Sequence, residues 1–176
     1  MSSVIAAVRT QEEFEKAIAT GVGQIFDLSP DLLTLQGRIK AAHAAGKKLF
    51  VHFDLATGIG KDKSGIAFAA ALGVDGVIST RVNIIRMARE AGLYTVQRFF
   101  IVDSHSIETT IEAVKASKAD TIEVMPGIAS KIIRVLKEKI EVPIIAGGLI
   151  ETAAEAAEAY QNGASAISTG KADLWD

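Results

Sequence analysis

Short apolar strands and amphipathic helices alternate along the entire chain, and that alternation limits the fold more than any other feature of the sequence. The strand segments read as Val4 to Val8, Gln24 to Leu28, Lys48 to Phe53, Gly76 to Ser79, Tyr94 to Val102, Thr121 to Met125, the stretch Val142 to Ile150 around Ile144-Ile145-Ala146, and Ala166 to Ser168. Between them lie helical patterns with their own start and stop signals. Thr10 with Glu13 three residues on forms a capping box ahead of Phe14, Ala17 and Ile18. Ser29-Pro30-Asp31 opens a helix through Leu35, Ile39 and Ala42 that stops near Gly46. Further helices are read over Lys63 to Leu72, from Arg81 to Ala91, from Ser104 to near Ser117, from Gly127 to Lys139 and over Thr152 to Gln161. Eight strands with seven full helices predict a closed parallel α/β barrel of the (β/α)8 TIM type rather than an open doubly wound sheet. An open sheet would more often carry a glycine-rich turn after its first strand, where this chain has Arg9-Thr10-Gln11.

The chain has 176 residues, against the ~250 typical of such barrels. The shortfall is expected at the end, with the last helix reduced to Lys171–Asp176. Trp175 and Leu174 are then expected to cover the exposed barrel wall, unless a partner subunit does so in a homo-oligomer. No linker or low-complexity segment interrupts the pattern, so residues 1–176 read as one domain.

Composition narrows the function classes. There is no cysteine, which removes thiolate chemistry, disulfides and Cys-ligated metals and fits a cytoplasmic protein. The formal net charge is −2, so any nucleic-acid contact must come from a local patch. No apolar run is long enough for a membrane helix, and Met1-Ser2-Ser3-Val4 does not resemble a signal peptide. His43 falls on a helix and His105 in a turn, so no metal site and no cofactor is expected.

In a barrel of this type, chemistry sits at the C-terminal ends of the strands. There the sequence places a glycine pair, Gly147-Gly148, after one strand and Ser168-Thr169-Gly170 after the next. Glycine turns at the last two strand ends let backbone N–H groups approach phosphate oxygens. The same rim carries His52, Asp54, Arg81, Arg98 and Glu123, with Arg9, Lys61, Lys63, Lys131 and Lys171 as further cations. Arg81 and Lys171 follow two similar strand ends, Ser79-Thr80 and Ser168-Thr169, a faint echo between half-barrels. Arg98 and Glu123 lie inside otherwise apolar strands and are expected to pair, bind a ligand, or both. His52 and Asp54 are expected on one strand face as a hydrogen-bonding pair. Phe50, Phe53, Phe99 and Phe100 read as strand-buried, leaving no exposed platform for stacking bases.

Several segments in order resemble one family: Val51-His52-Phe53-Asp54-Leu55, Val77-Ile78-Ser79-Thr80-Arg81, Thr95 to Phe100 with Asp103-Ser104, Glu123 to Gly127, Pro143 to Ile150, and Ser168-Thr169 with Leu174-Trp175. Their combination is similar to the glycerol-3-phosphate-responsive antiterminators of glycerol uptake operons. The resemblance implies a regulator that binds glycerol 3-phosphate and acts on leader mRNA so that transcription passes a terminator. It implies phosphate contacts at Gly147, Gly148, Ser168 and Thr169, and glycerol contacts among His52, Asp54, Arg98 and Glu123. Three stretches depart from the family pattern: Asp27 to Asp31, Gly170-Lys171, and the loop Ala56 to Asp62. The alternatives are a small phosphate-sugar isomerase or synthase, with His52, Asp54 and Glu123 as acid–base groups, or a phosphate-ester-binding barrel with no RNA partner.

Overall fold

The apolar segments become strands because branched and aromatic side chains suit a pleated surface covered on both faces. In the computed structural model, which describes residues 3–176, these are β1 (Ser3–Val8), β2 (Gln24–Asp27), β3 (Lys48–His52), β4 (Gly76–Ser79), β5 (Tyr94–Phe100), β6 (Thr121–Met125), β7 (Ile144–Gly147) and β8 (Ala166–Thr169). Each pairs in parallel with the next, and β8 returns to β1, so the chain is a closed (β/α)8 barrel. Met1 and Ser2, half of the N-terminal stretch read above, lie outside the described residues. The helices are α1 (Gln11–Ala19), α2 (Leu32–Ala44), α3 (Lys63–Leu72), α4 (Val82–Glu90), α5 (Ser104–Ser117), α6 (Ser130–Lys137) and α7 (Ala153–Gln161).

The helix starts follow local chemistry. Thr10 and Glu13 form the capping box read from the sequence, and Thr152 with Glu155 forms another. Asp31, Asp62 and Asp103 each accept a backbone N–H at the start of α2, α3 and α5. The side chains inside the barrel form one cluster, Ile5, Ala7, Phe26, Leu28, Phe50, Ile78, Val96, Ile145 and Ala166. Helix-facing residues make two further clusters around it.

The eighth helix is a single 3-10 turn, Ala172–Leu174. Trp175 follows it and is 1% exposed. Its indole Nε1 donates to the Thr169 carbonyl at 2.9 Å, and its ring joins the cluster that holds Phe14, Ala17 and Val22. Leu174 packs, partly buried, on the other helix-facing cluster. Trp175 and Leu174 thus cover the barrel wall beside β8.

Two readings change. β3 ends at His52, and Phe53–Leu55 forms a 3-10 turn, so Asp54 does not share a strand face with Phe50 and His52. β5 ends at Phe100, which is 59% exposed rather than strand-buried. It stands above the rim, where the Asp103 cap of α5 has begun to turn the chain away. Asp27, at another strand end, points outward to α2: its carboxylate pairs with Arg38 at 2.8 Å, and both are buried. Arg38 also rests over the Phe14 ring, 5.3 Å from its centroid. This ion pair holds a helix to the wall and takes no part in the barrel mouth.

Candidate ligand-binding site

Strand alternation builds the site. Residues two apart along a strand point to the same side, so Arg98 follows Val96 inward, His52 follows Phe50, Gly147 follows Ile145 and Ser168 follows Ala166, each one layer above an apolar core residue. Glu123 is the register partner of Arg98 on the neighbouring strand. The barrel therefore has an apolar floor and a polar layer at its C-terminal mouth.

That layer is tightly connected. Glu123 is fully buried, and its Oε2 accepts from Arg98 Nε at 2.6 Å. Its Oε1 accepts from the Ser168 hydroxyl. Gly147 lies beneath this contact: a Cβ there would collide with Glu123 Oε1 and Ser168 Oγ. The first glycine of the pair is thus required by the carboxylate above it. The second, Gly148, has φ +77°, a left-handed backbone that favours glycine. Leu149 follows at φ +61° with its side chain exposed.

A cavity of about 380 Å³ opens over this layer. Arg98, Glu123 and Met125 line it from β5 and β6; Gly148, Leu149, Ile150 and Glu151 from the loop after β7; Ser168, Thr169, Gly170 and Lys171 from the end of β8; and Ala7, Arg9 and Leu28 from β1 and β2. The backbone N–H groups of Gly148, Leu149 and Gly170 find no backbone acceptor among the described residues. Arg9 and Lys171 add positive charge at the rim, although Lys171 lies 4.0 Å from the Glu151 carboxylate. The Thr169 hydroxyl is engaged in structure: it donates to the Ile150 carbonyl at 2.7 Å and accepts from the Lys171 N–H at 3.0 Å, tying the two loops together. One side of the cavity offers neutral and cationic donors to an anion, and its floor offers a guanidinium and a carboxylate to hydroxyl groups.

The other residues named from the sequence stand apart from this cavity. His52 is 5% exposed, and neither ring nitrogen has a hydrogen-bond partner among the described residues. Burial, with the Arg98 guanidinium nearby, pushes its pKa down to about 4 against an opposing pull from Asp54, so it is neutral at physiological pH. The expected His52–Asp54 hydrogen bond is not formed. Asp54 instead takes the Ser79 hydroxyl and both the amide and hydroxyl of Thr80, the latter two at 2.8 Å. Burial alone would raise the Asp54 carboxyl, but those hydrogen bonds outweigh it and hold its pKa below the ordinary value. Its role is to bridge the ends of β3 and β4. Arg81 is exposed at the start of α4 and does not border the cavity. Lys61 turns back on the carbonyls of Ala56 and Ile59.

The sequence analysis does not name Ala7, Leu28, Met125, Leu149, Ile150 or Glu151 as cavity residues. Met125 was accessible to it, since it lies two residues beyond Glu123 on the same strand face. Leu149 was not, because its position depends on a left-handed backbone that no local pattern announces.

Comparisons with known proteins point one way. A family described as glycerol-3-phosphate responsive antiterminator matches residues 4–175. The Escherichia coli (strain K12) protein YgcP is 35% identical over 173 residues, 98% of this chain and 91% of that protein. The crystal structure of a glycerol uptake operon antiterminator regulatory protein from Listeria monocytogenes superposes with a TM-score of 0.93 at 33% identity, covering 98% of this chain and 94% of that one. An antiterminator-related protein from Thermotoga maritima gives 0.87 at 32% identity, covering 99% and 98%. An aldolase, QR15, at 14% identity and a TM-score of 0.73 over 98% of this chain and 90% of that one, shares the fold alone.

Proposed function

The chain belongs to the glycerol-3-phosphate responsive antiterminator family, and from that membership we propose that it is a cytoplasmic regulator of glycerol-uptake genes that binds glycerol 3-phosphate at the barrel mouth and acts on leader mRNA. The observation that carries the reading is the cavity's division of labour. The phosphate would take the N–H groups of Gly148, Leu149 and Gly170, with Arg9 and Lys171 as counter-charges. The glycerol hydroxyls would reach Arg98 and Glu123. Such a site needs no cofactor.

Regulation is favoured over turnover by the state of the acid–base groups. Both oxygens of Glu123 are engaged, and His52 does not border the cavity. In this arrangement neither Glu123 nor His52 is poised to pass a proton to a bound ligand.

Ligand gating has a reciprocal consequence. If glycerol 3-phosphate favours the RNA-binding state, RNA must tighten glycerol 3-phosphate binding by the same factor. An RNA carrying the leader of a glycerol-uptake operon from the same genome is expected to bind at least about fivefold more tightly at saturating glycerol 3-phosphate. Gel retardation with and without the ester measures this. Equal affinity in the two conditions would remove ligand gating.

A further inference from the structure

We infer that the groove between the C-terminal ends of α4 and α5 is where the RNA phosphate backbone docks, an inference that rests on the RNA-binding reading above. Charge is unevenly distributed along the chain. Residues 81–139 carry 10 Lys and Arg against 7 Asp and Glu, whereas the rest of the chain carries 9 against 14. The groove lies within the basic sector and is lined by Arg86, Arg89, Glu90, Ala116, Ser117 and Lys118. No large apolar side chain is among them, so its chemistry suits a polyanion rather than a protein surface.

Its cations are held in place. Arg86 donates from Nε at 3.0 Å and Nη2 at 2.8 Å to the Ala116 carbonyl. Arg89 donates from Nη1 to the Lys118 carbonyl, with Asp120 a further 3.4 Å contact. Each guanidinium keeps other N–H groups for an incoming phosphate. Lys118 ends α5 with φ +56°, where glycine would be less strained, and so sets an ammonium at the lip of the groove. Lys115 is exposed one turn earlier, and neither lysine makes an ion pair among the described residues. Cations at helix C-terminal ends also complement the helix dipole. That accounts for each cation singly, but not for two helices directing theirs into one groove.

The groove is also connected to the ligand site. Ser117, between the two carbonyls that hold the arginines, donates to the buried Gln97 Oε1 at 2.5 Å. Gln97 directly precedes Arg98 on β5. A shift of Arg98 on ligand binding would therefore reach the groove floor through one strand and one hydrogen bond.

The test uses RNAs enriched from a random-sequence pool on the wild-type protein in the presence of glycerol 3-phosphate. Lys115→Glu/Lys118→Gly is expected to weaken binding of the enriched RNA at least about tenfold and to flatten the dependence of log K on log salt by about two. Glycine suits the left-handed position, so melting temperature and glycerol 3-phosphate binding are expected to stay as in the wild type. Lys40→Glu, on exposed α2, is expected to change RNA affinity less than about twofold. Enriched RNA that binds the double variant as well as the wild type overturns the groove while leaving the RNA reading standing. A pool from which nothing is enriched overturns both.

Discussion

Glu123→Ala is expected to cost about 3–5 kcal/mol of folding stability, which urea unfolding followed by circular dichroism would measure. The carboxylate is fully buried and holds Arg98 at 2.6 Å, and Arg98 is itself only 7% exposed. Removing Glu123 leaves that guanidinium without its counter-charge inside the barrel and leaves the Ser168 hydroxyl without its acceptor. The cost arises from the stranded charge more than from the lost attraction. Arg98→Met/Glu123→Leu should therefore be more stable than Glu123→Ala, although it also removes the polar floor of the cavity. A loss below about 1 kcal/mol in the single variant would mean that water or a shift of Arg98 satisfies the cation.

Trp175→Ala is expected to be as damaging, at about 3–5 kcal/mol. For a domain of this size that lowers the melting temperature by roughly 10 °C. Its ring is 1% exposed and its Nε1 donates to the Thr169 carbonyl. It does for the last strand what a full eighth helix does in longer barrels. Thr169 also anchors the loop after β7, so the ligand site should loosen with it. Trp175→Phe, which keeps most of the apolar area but loses the donor, should recover more than half of the loss.

The barrel was legible because strand and helix periods do not overlap: eight apolar segments and seven helical patterns leave few alternatives. The Arg98–Glu123 pairing was legible for a related reason, since a charge in the middle of an apolar strand must have a partner, and adjacent strands supply the nearest one. What failed was local geometry at the strand ends. His52 and Asp54 are two apart in sequence, but a 3-10 turn at Phe53 takes Asp54 out of the strand plane and into the hydroxyls of Ser79 and Thr80. Phe100 reads as a strand residue, and it is one, but its position above the rim is set by where the next helix starts. Asp27 stands at the end of β2, but Arg38 of α2 lies opposite it and draws it outward, a pairing that no nearby sequence indicates. Gly147-Gly148 read as a phosphate turn from its position after the seventh strand. The two differ: one makes room for Glu123 and Ser168, and the other supplies the left-handed turn and a free N–H. The basic groove was invisible because its cations come from two helices thirty residues apart and meet only through the carbonyls at the end of α5.

The central claim, that the cavity at the barrel mouth takes glycerol 3-phosphate with its phosphate against the loops after β7 and β8, is tested most directly by isothermal titration of the wild type and Gly170→Val. Gly170 borders the cavity, its φ lies outside the left-handed region, and a Cβ there meets only the Ala7 carbonyl at 3.6 Å, so the backbone tolerates a side chain at the edge of the space assigned to the phosphate. The account predicts saturable one-to-one binding of glycerol 3-phosphate to the wild type, much weaker binding of glycerol alone, and at least about a tenfold loss in Gly170→Val at an unchanged melting temperature. Wild-type protein that ignores glycerol 3-phosphate, or a folded Gly170→Val that binds it as tightly as the wild type, would contradict it.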